Sequence, residues 1–179
     1  MFKIISLVFM LLLFSACSNK EEVKPKPTTQ VNAKKVKTMH KPSKMFQTVS
    51  KDKAVLVQKG AKANSCAVCG MNLTKFYKTS HNATKDGEPI QYCSIHCLAN
   101  NLESGVELEN PNVVDVKSLK FIPVLQAYYV VGSDVRGTMS RVSKYAFASL
   151  DDAKAFQKKH GGKIMDFRGA LEVAKKDFK

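Results

Sequence analysis

No stretch of this 179-residue sequence is apolar over the roughly 20 residues that a membrane-spanning helix needs. The apolar run at residues 4–14 covers only 11 residues, which is typical of the core of a signal peptide. Acidic residues are scarce, at 15 against 29 Lys and Arg. A Ser-His-Asp arrangement, a pair of catalytic carboxylates and a phosphate-binding Gly loop are all missing. The sequence therefore predicts a small binding protein, with one or two cores, and not an enzyme.

The apolar run ends at Phe14-Ser-Ala-Cys17, which resembles a bacterial lipobox. In such a motif the cysteine is lipidated and becomes the first residue of the mature chain. We therefore predict a signal peptide at residues 1–16 and a lipid anchor on Cys17 that holds the protein at a membrane. An ordinary secretion signal with an incidental cysteine is the alternative. The motif does not distinguish the inner membrane from the outer membrane.

Most of the positive charge precedes the predicted folded part. Residues 18–62 contain 12 Lys against three acidic residues, whereas residues 63–179 contain 16 Lys and Arg against 12 acidic residues. Residues 17–44 are rich in Lys and Pro and have almost no apolar periodicity, so we predict a disordered tether. Nucleic acid is not an expected partner of an exported chain. A solvated spacer is the preferred interpretation of the Lys residues, and weak attraction to an anionic membrane is compatible with it.

Turn signals and hydrophobic periodicity divide the rest of the chain into strands and helices. We predict a strand at residues 54–58, followed by two stretches that each contain strand, strand, helix and strand. The predicted strands of the two stretches lie at residues 79–84, 89–93, 113–119, 127–131, 144–148 and 163–167. The predicted helices begin after Ser94 and Ser149, and a last amphipathic helix covers residues 170–178.

This repeated order predicts an α+β protein with two related ββαβ halves after the tether. We place the first half at residues 45–125 and the second half, with the C-terminal helix, at residues 126–179. Aligning Cys93 with Ala148 matches the two helix N-caps and leaves the second half without cysteine. Any cysteine chemistry therefore belongs to the first half.

Four cysteines form two pairs, Cys66-x2-Cys69 and Cys93-x3-Cys97, which are separated by 23 residues. A tight turn through the first pair aims two sulfurs and several backbone N–H groups at one point. The predicted helix start at the second pair adds partial positive charge, which stabilises thiolates. The spacing therefore predicts that all four sulfurs converge on one site.

The sequence leaves open which of three states the site adopts. In an oxidising compartment the cysteines can form disulfides that stabilise an interaction module. They can also hold zinc in a closed four-thiolate structural site. Copper is the third occupant, because Met71 follows Cys69 by two residues and thiolate and thioether ligands together select Cu(I). A CxxC redox enzyme is not favoured, since Gly-Met-Asn-Leu after Cys69 is a poor helix start.

Two further residues are candidate donors to a metal ion. His96 lies between Cys93 and Cys97, where it either supplies an imidazole or faces solvent. Met139 lies in a loop that contains several glycines, where a thioether is less easily explained as core packing. His81, in the first predicted strand, is a weaker candidate.

Several separated motifs occur in a fixed order: Cys66-Ala-Val-Cys-Gly-Met71, Tyr128-Tyr-Val-Val-Gly-Ser133, Gly137-Thr-Met139, Phe147-Ala-Ser149, Asp152-Ala-Lys-Ala-Phe156 and His160-Gly-Gly162. Together they resemble the NosL family of copper-binding lipoproteins, which are accessory proteins of nitrous oxide reductase assembly. The resemblance covers about residues 54–168, and the lipobox at Cys17 agrees with it.

The resemblance implies a periplasm-facing lipoprotein that holds Cu(I) and passes it to an acceptor, namely nitrous oxide reductase. It implies Cys69 and Met71 as copper ligands, with Met139 as a third donor. The sequence departs from the family pattern at Cys93 and Cys97, since typical members lack this second pair. The departure leaves open whether the pair or a larger thiolate cluster holds copper, and whether another cuproprotein is the acceptor.

Overall fold

The computed structural model describes residues 45–177. The predicted signal peptide at residues 1–16 and the predicted lipidated tether at residues 17–44 lie outside the described residues, as do residues 178–179. Within the described part, no helix is both long enough and apolar enough to cross a lipid bilayer.

The described residues form seven strands and three α-helices. The first stretch contains β1 (His81–Lys85), β2 (Glu88–Tyr92), α1 (Ile95–Glu103), β3 (Glu109–Val114) and β4 (Phe121–Pro123). The second stretch contains β5 (Tyr128–Val131), β6 (Lys144–Phe147), α2 (Leu150–His160), β7 (Lys163–Met165) and α3 (Phe167–Lys176). Both stretches therefore begin with the predicted order of strand, strand, helix and strand.

The strands form two antiparallel sheets with the orders β2-β1-β3-β4 and β6-β5-β7. In each sheet the first strand of the stretch is central, its hairpin partner lies on one side and the strand after the helix lies on the other. Asp86 and Gly87 join β1 to β2 with φ values of 51° and 77°, which is the hairpin geometry that Asp-Gly favours. The α+β fold class is confirmed.

The predicted strand at residues 54–58 is wrong, because this segment joins neither described sheet. Its backbone is satisfied by side chains instead. The Val55 N–H donates to the Tyr77 hydroxyl at 3.0 Å, and the Val57 N–H donates to the Gln91 side-chain oxygen at 3.0 Å. The segment is therefore tied to β2 through a buried glutamine and not through a ladder of backbone hydrogen bonds.

The last strands of the first sheet also differ from the prediction. β3 ends at Val114 and not near residue 119, because the Asp115 carboxylate accepts a hydrogen bond from the Ser118 N–H at 2.8 Å and turns the chain. The chain then returns beside β3 as β4, which was not predicted. A three-residue strand that ends in proline carries no alternation from which to predict it.

One hydrophobic core cluster joins residues on both sides of the predicted boundary at residue 125. Its buried members are Ile95, Ala99, Val113, Val124, Ala127, Tyr129, Val131, Ala146, Ala170 and Ala174. Helix α3 packs against α1 as well as against β5 and β7. This shared core places the loops of the second stretch next to the start of α1, where the second cysteine pair lies.

Candidate metal centre

Residues 65–72 form a compact loop, which we call the knuckle, closed by an isolated antiparallel bridge between Ser65 and Asn72. Inside it, the Cys66 N–H donates to the Met71 carbonyl at 2.8 Å, and the Gly70 N–H donates to the Cys66 carbonyl at 3.0 Å. Gly70 has a φ of 72°, a left-handed conformation that glycine adopts without strain. The knuckle thereby holds the first cysteine pair in a tight turn, as predicted.

The second cysteine pair lies where β2 ends and α1 begins. Cys93 follows β2 directly, Ser94 is the N-cap residue and Cys97 lies in the first turn of α1. The Ala67 N–H donates to the Gln91 carbonyl at 2.9 Å, which fastens the knuckle to β2 just before Cys93. The predicted helix start is confirmed, although within residues 45–177 the Ser94 side chain forms no capping hydrogen bond.

These two elements bring four sulfurs together. The Sγ atoms of Cys66, Cys69, Cys93 and Cys97 all lie within 4.8 Å of one another. The Cys69–Cys93 separation is 3.5 Å and the Cys93–Cys97 separation is 3.7 Å. Both distances exceed a disulfide bond of about 2.05 Å. They approach the edge of about 3.8 Å expected for sulfurs in a tetrahedron around one zinc ion.

The four cysteines differ in exposure. Cys66, Cys93 and Cys97 are only 4%, 0% and 2% exposed, whereas Cys69 is exposed at the surface. The site is thus closed on three corners and open on the fourth. An ion bound there would be accessible from the Cys69 side.

Crowding changes the proton affinities of the thiols. Hydrogen bonds from Cys93 and Cys97 hold the pKa of Cys66 far below its usual value, and hydrogen bonds from the backbone of Cys69 and Cys93 lower it further. The hydrogen bond to Cys66 raises the pKa of Cys93 and of Cys97. The contact between Cys93 and Cys97 raises the pKa of Cys93 and lowers that of Cys97, and burial raises both. Among these three buried cysteines, Cys66 is therefore the favoured thiolate, and a bound cation is needed to hold Cys93 and Cys97 ionised.

A cleft of about 220 Å³, the sulfur cleft, opens beside the exposed cysteine. Four candidate ligands line it, namely Cys69, His96, Cys97 and Met139. Met139 is 37% exposed and has a φ of 58°, which is uncommon for a residue with a side chain. The structure therefore brings this residue of the second stretch to the same cleft as the cysteines of the first.

A pair of threonine hydroxyls fastens the Met139 loop to the first stretch. The Thr79 hydroxyl lies 2.8 Å from the Thr138 hydroxyl and donates to the Cys93 carbonyl at 2.8 Å. Thr79 and Thr138 are both buried. The sequence does not predict this pair, since hydroxyl groups 59 residues apart leave no local signal.

Two further features hold the same loop in place. A Cβ on Gly137 would lie 2.9 Å from the Ser140 carbonyl oxygen, so only glycine fits there without a shift of the backbone. Lys144 is 6% exposed, and its ammonium pairs with the Asp177 carboxylate at the end of α3 and donates to the Ser140 hydroxyl at 3.1 Å. Burial lowers the pKa of Lys144, and the contact with Asp177 partly offsets this effect.

Met71 is partly buried and packs against the hydrophobic cluster that contains Cys66, Cys93 and Cys97. It also lines a second cleft, of about 750 Å³, on which Met139 lies as well. Met139 therefore borders both clefts. The two methionines singled out in the sequence thus lie near the cysteine cluster, one in its apolar surroundings and the other beside its open corner.

The two candidate histidines occupy different environments. His96 is 9% exposed and lines the sulfur cleft, and burial lowers its pKa. Within residues 45–177, the one group of side chains close enough together to hold a metal ion consists of the four cysteines, and His96 is not part of it. The His81 ring nitrogens lie 3.0 Å from the Thr79 carbonyl and 3.1 Å from the Tyr129 hydroxyl, so His81 links the two sheets in the interior.

Three comparisons with known proteins agree. A protein-family model described as NosL matches residues 55–172. The copper-binding lipoprotein NosL of Stutzerimonas stutzeri is 30% identical over 120 residues, which cover 59% of this chain and 60% of that protein, less than two thirds of its length. The crystal structure of the copper chaperone NosL from Shewanella denitrificans is similar with a TM-score of 0.50 at 24% identity, covering 64% of this chain and 96% of that chain. This last match shows a shared fold.

Proposed function

The chain belongs to the NosL family, and on that premise we propose that it is a copper chaperone that holds Cu(I) at the cysteine cluster. Both relatives are named for binding or carrying copper and not for catalysis. Thiolates and thioethers are soft ligands that suit Cu(I). In this proposal Cys17 carries the lipid anchor, the folded part faces the periplasm, and copper is delivered to a cuproprotein, with nitrous oxide reductase as the acceptor.

One observation supports this function most strongly, namely that three cysteines of the cluster are buried and Cys69 is exposed. Copper transfer proceeds by ligand exchange, in which a donor of the acceptor protein binds the ion before a donor of the chaperone leaves. An open corner at Cys69, next to the Met139 thioether in the sulfur cleft, gives an acceptor that access. The buried cysteines keep the ion bound until the exchange begins.

A structural zinc site is the second candidate function. The sulfur separations of 3.5 and 3.7 Å favour it, because they are close to the tetrahedral edge of about 3.8 Å. A zinc ion in such a site would stabilise the fold and exchange slowly. The exposed Cys69 and the nearby thioethers favour copper, since a closed zinc site requires neither.

Metal content separates the candidates. The reduced chain is purified without added metal, then offered copper and zinc, and the bound ions are counted per chain. We expect copper binding by the unaltered chain and a loss of affinity of at least about 10-fold for Cys69→Ser, and the same measurement on Met71→Leu tests whether the Met71 thioether is also a ligand. Met165→Leu, in β7, is the matched control and leaves the affinity unchanged.

Retention of one zinc ion without copper affinity would contradict the copper function. Four thiols blocked against alkylation, in metal-free protein from its native compartment, would point instead to a disulfide-stabilised interaction module.

Delivery is tested separately with copper-free nitrous oxide reductase. We expect the copper-loaded chain to metallate the enzyme faster than an equal concentration of a small Cu(I) complex, and Cys69→Ser to slow the transfer. An enzyme that gains no copper from the loaded chain would show that the acceptor is a different cuproprotein.

A further inference from the structure

The cluster offers more sulfur than one Cu(I) ion uses. Four cysteine sulfurs lie within 4.8 Å of one another, and the Met139 thioether lies on the adjoining cleft. A single Cu(I) ion is satisfied by about two or three soft ligands. One ion would therefore leave one or two of the cysteines without a role in binding it.

Charge permits a second ion. Four thiolates with two Cu(I) ions carry a net charge of −4 + 2 = −2, which equals the charge of a four-thiolate zinc site. Among the described residues that line the sulfur cleft, the charges of the one acid and the one base, Glu103 and Lys175, cancel, so the lining adds no net charge of its own.

The arrangement of the sulfurs gives each ion a place. Cys93 lies 3.5 Å from Cys69 and 3.7 Å from Cys97, so its sulfur is central and suited to bridge two ions. Cys66 is 4% exposed and lines a different cleft, whereas the exposed Cys69 and the buried Cys97 line the sulfur cleft together with Met139. The cluster therefore has an inner side and a cleft side.

We propose that the cluster holds two Cu(I) ions, an inner ion bound by Cys66 and Cys93 and an outer ion bound by Cys69, Cys97 and the Met139 thioether. The Cys93 thiolate bridges the two ions. This inference rests on the proposed copper function and adds the number of ions and their order of release. The outer ion lies at the open corner, so it is the one that an acceptor removes first.

The test is an anaerobic titration of the full, reduced chain with Cu(I) against a chromophoric Cu(I) chelator. We expect saturation at two copper ions per chain. X-ray absorption at the copper edge, measured on the loaded chain, should then detect a second copper ion close to the first. Cys69→Ser, which alters the exposed ligand and leaves the core intact, lowers the stoichiometry to one. Met139→Leu keeps two ions but weakens the second by about 10-fold. Met165→Leu, the control, binds as the unaltered chain does.

The outcomes distinguish this inference from the proposed function. Saturation at one copper ion with no copper neighbour overturns the ion pair and leaves the chaperone function standing. Two ions that persist in Cys69→Ser also overturn it, because the second ion then lies elsewhere. An absence of copper binding, with one zinc ion retained, overturns the proposed function itself.

Discussion

The two ββαβ stretches share a strand order but differ at the start of their helices. In the second stretch, the Ser149 hydroxyl accepts hydrogen bonds from the backbone N–H groups of Asp151 and Asp152, and both of these acids lie in the first turn of α2. In the first stretch, the first turn of α1 holds no acid, and the cysteine cluster lies there instead. The same positive end of a helix thus lies against oxygen acceptors in one stretch and against the cysteine cluster in the other.

This difference teaches that the metal centre depends on a second element and not on the helix start alone. Hydrogen bonds from the Cys93 and Cys97 side chains, and then from the backbone of Cys69 and Cys93, lower the pKa of Cys66, so its thiolate depends on the knuckle and on the second cysteine pair together. Within the described residues, nothing comparable to the knuckle precedes β5. The knuckle therefore converts a common helix start into a candidate metal site.

The largest expected effect is that of Cys93→Ala. This substitution gives the first stretch the residue that the second stretch has at the aligned position, Ala148. We expect the copper affinity to fall by more than about 100-fold, since even residues around a ligand contribute 10- to 100-fold. A competition titration with a Cu(I) chelator measures it. The matched control is Ala148→Cys, which adds a thiol without a knuckle and creates no copper site. An affinity within 10-fold of the unaltered chain would place copper outside the cluster.

The next largest expected effect is a pH dependence of stability that comes from His81, which links the two sheets. Burial lowers the pKa of His81 to about 4, from a usual value near 6.5. The unfolded chain binds this proton more readily, so the stability that neutral His81 provides is complete above pH 6.5. It is lost progressively as the pH falls toward 4. We expect the free energy of unfolding to drop by about 2 kcal/mol between pH 7.5 and pH 5 from this group.

Urea unfolding of the metal-free chain at the two pH values measures this loss. His81→Gln keeps a polar side chain that does not titrate, so its loss over the same range should be smaller by about 2 kcal/mol. Equal losses in the two proteins would show that the buried imidazole does not respond to pH in this way.

A smaller effect is expected where the Met139 loop meets the first stretch. Thr138→Val keeps the shape of the side chain but removes the hydroxyl that lies 2.8 Å from Thr79, at a buried site. We expect a loss of about 1.5 kcal/mol in the free energy of unfolding and slower copper transfer, because Met139 is held less firmly. Thr48→Val is the control, since its hydroxyl bonds an exposed carbonyl at 2.9 Å. Equal losses of stability in Thr138→Val and Thr48→Val would show that the buried hydroxyl contact contributes no more than the exposed one.

The parts of the site that the sequence predicts are those encoded locally. A CxxC-Gly turn and a cysteine pair at a helix start are short-range patterns, and they predict the convergence of the four sulfurs without knowledge of the rest of the fold. The ββαβ order follows in the same way from periodicity and from turns such as Asp86-Gly87. The segment at residues 54–58 shows the limit, because a buried Gln91 replaces the expected ladder there.

Long-range placement is what the sequence does not predict. The position of Met139 beside Cys69 depends on the shared core, on the Thr79–Thr138 contact and on the fit of Gly137. The shared core and the threonine contact join residues that are far apart in the chain, so no local pattern encodes them. Met139 could be singled out as an unusual residue, but its neighbours could not be named.

The smallest expected effect comes from the N-cap serines, Ser94 of α1 and Ser149 of α2, and it distinguishes the two helix starts. Ser149→Ala removes a hydroxyl that accepts hydrogen bonds from Asp151 and Asp152, so we expect the free energy of unfolding to fall by about 1 kcal/mol. Ser94→Ala removes no capping bond within the described residues, so its cost should stay below about 0.5 kcal/mol. Urea unfolding of the metal-free chain measures both. Equal costs would mean that Ser94 caps α1 when no metal is bound, and that binding must then displace an oxygen cap.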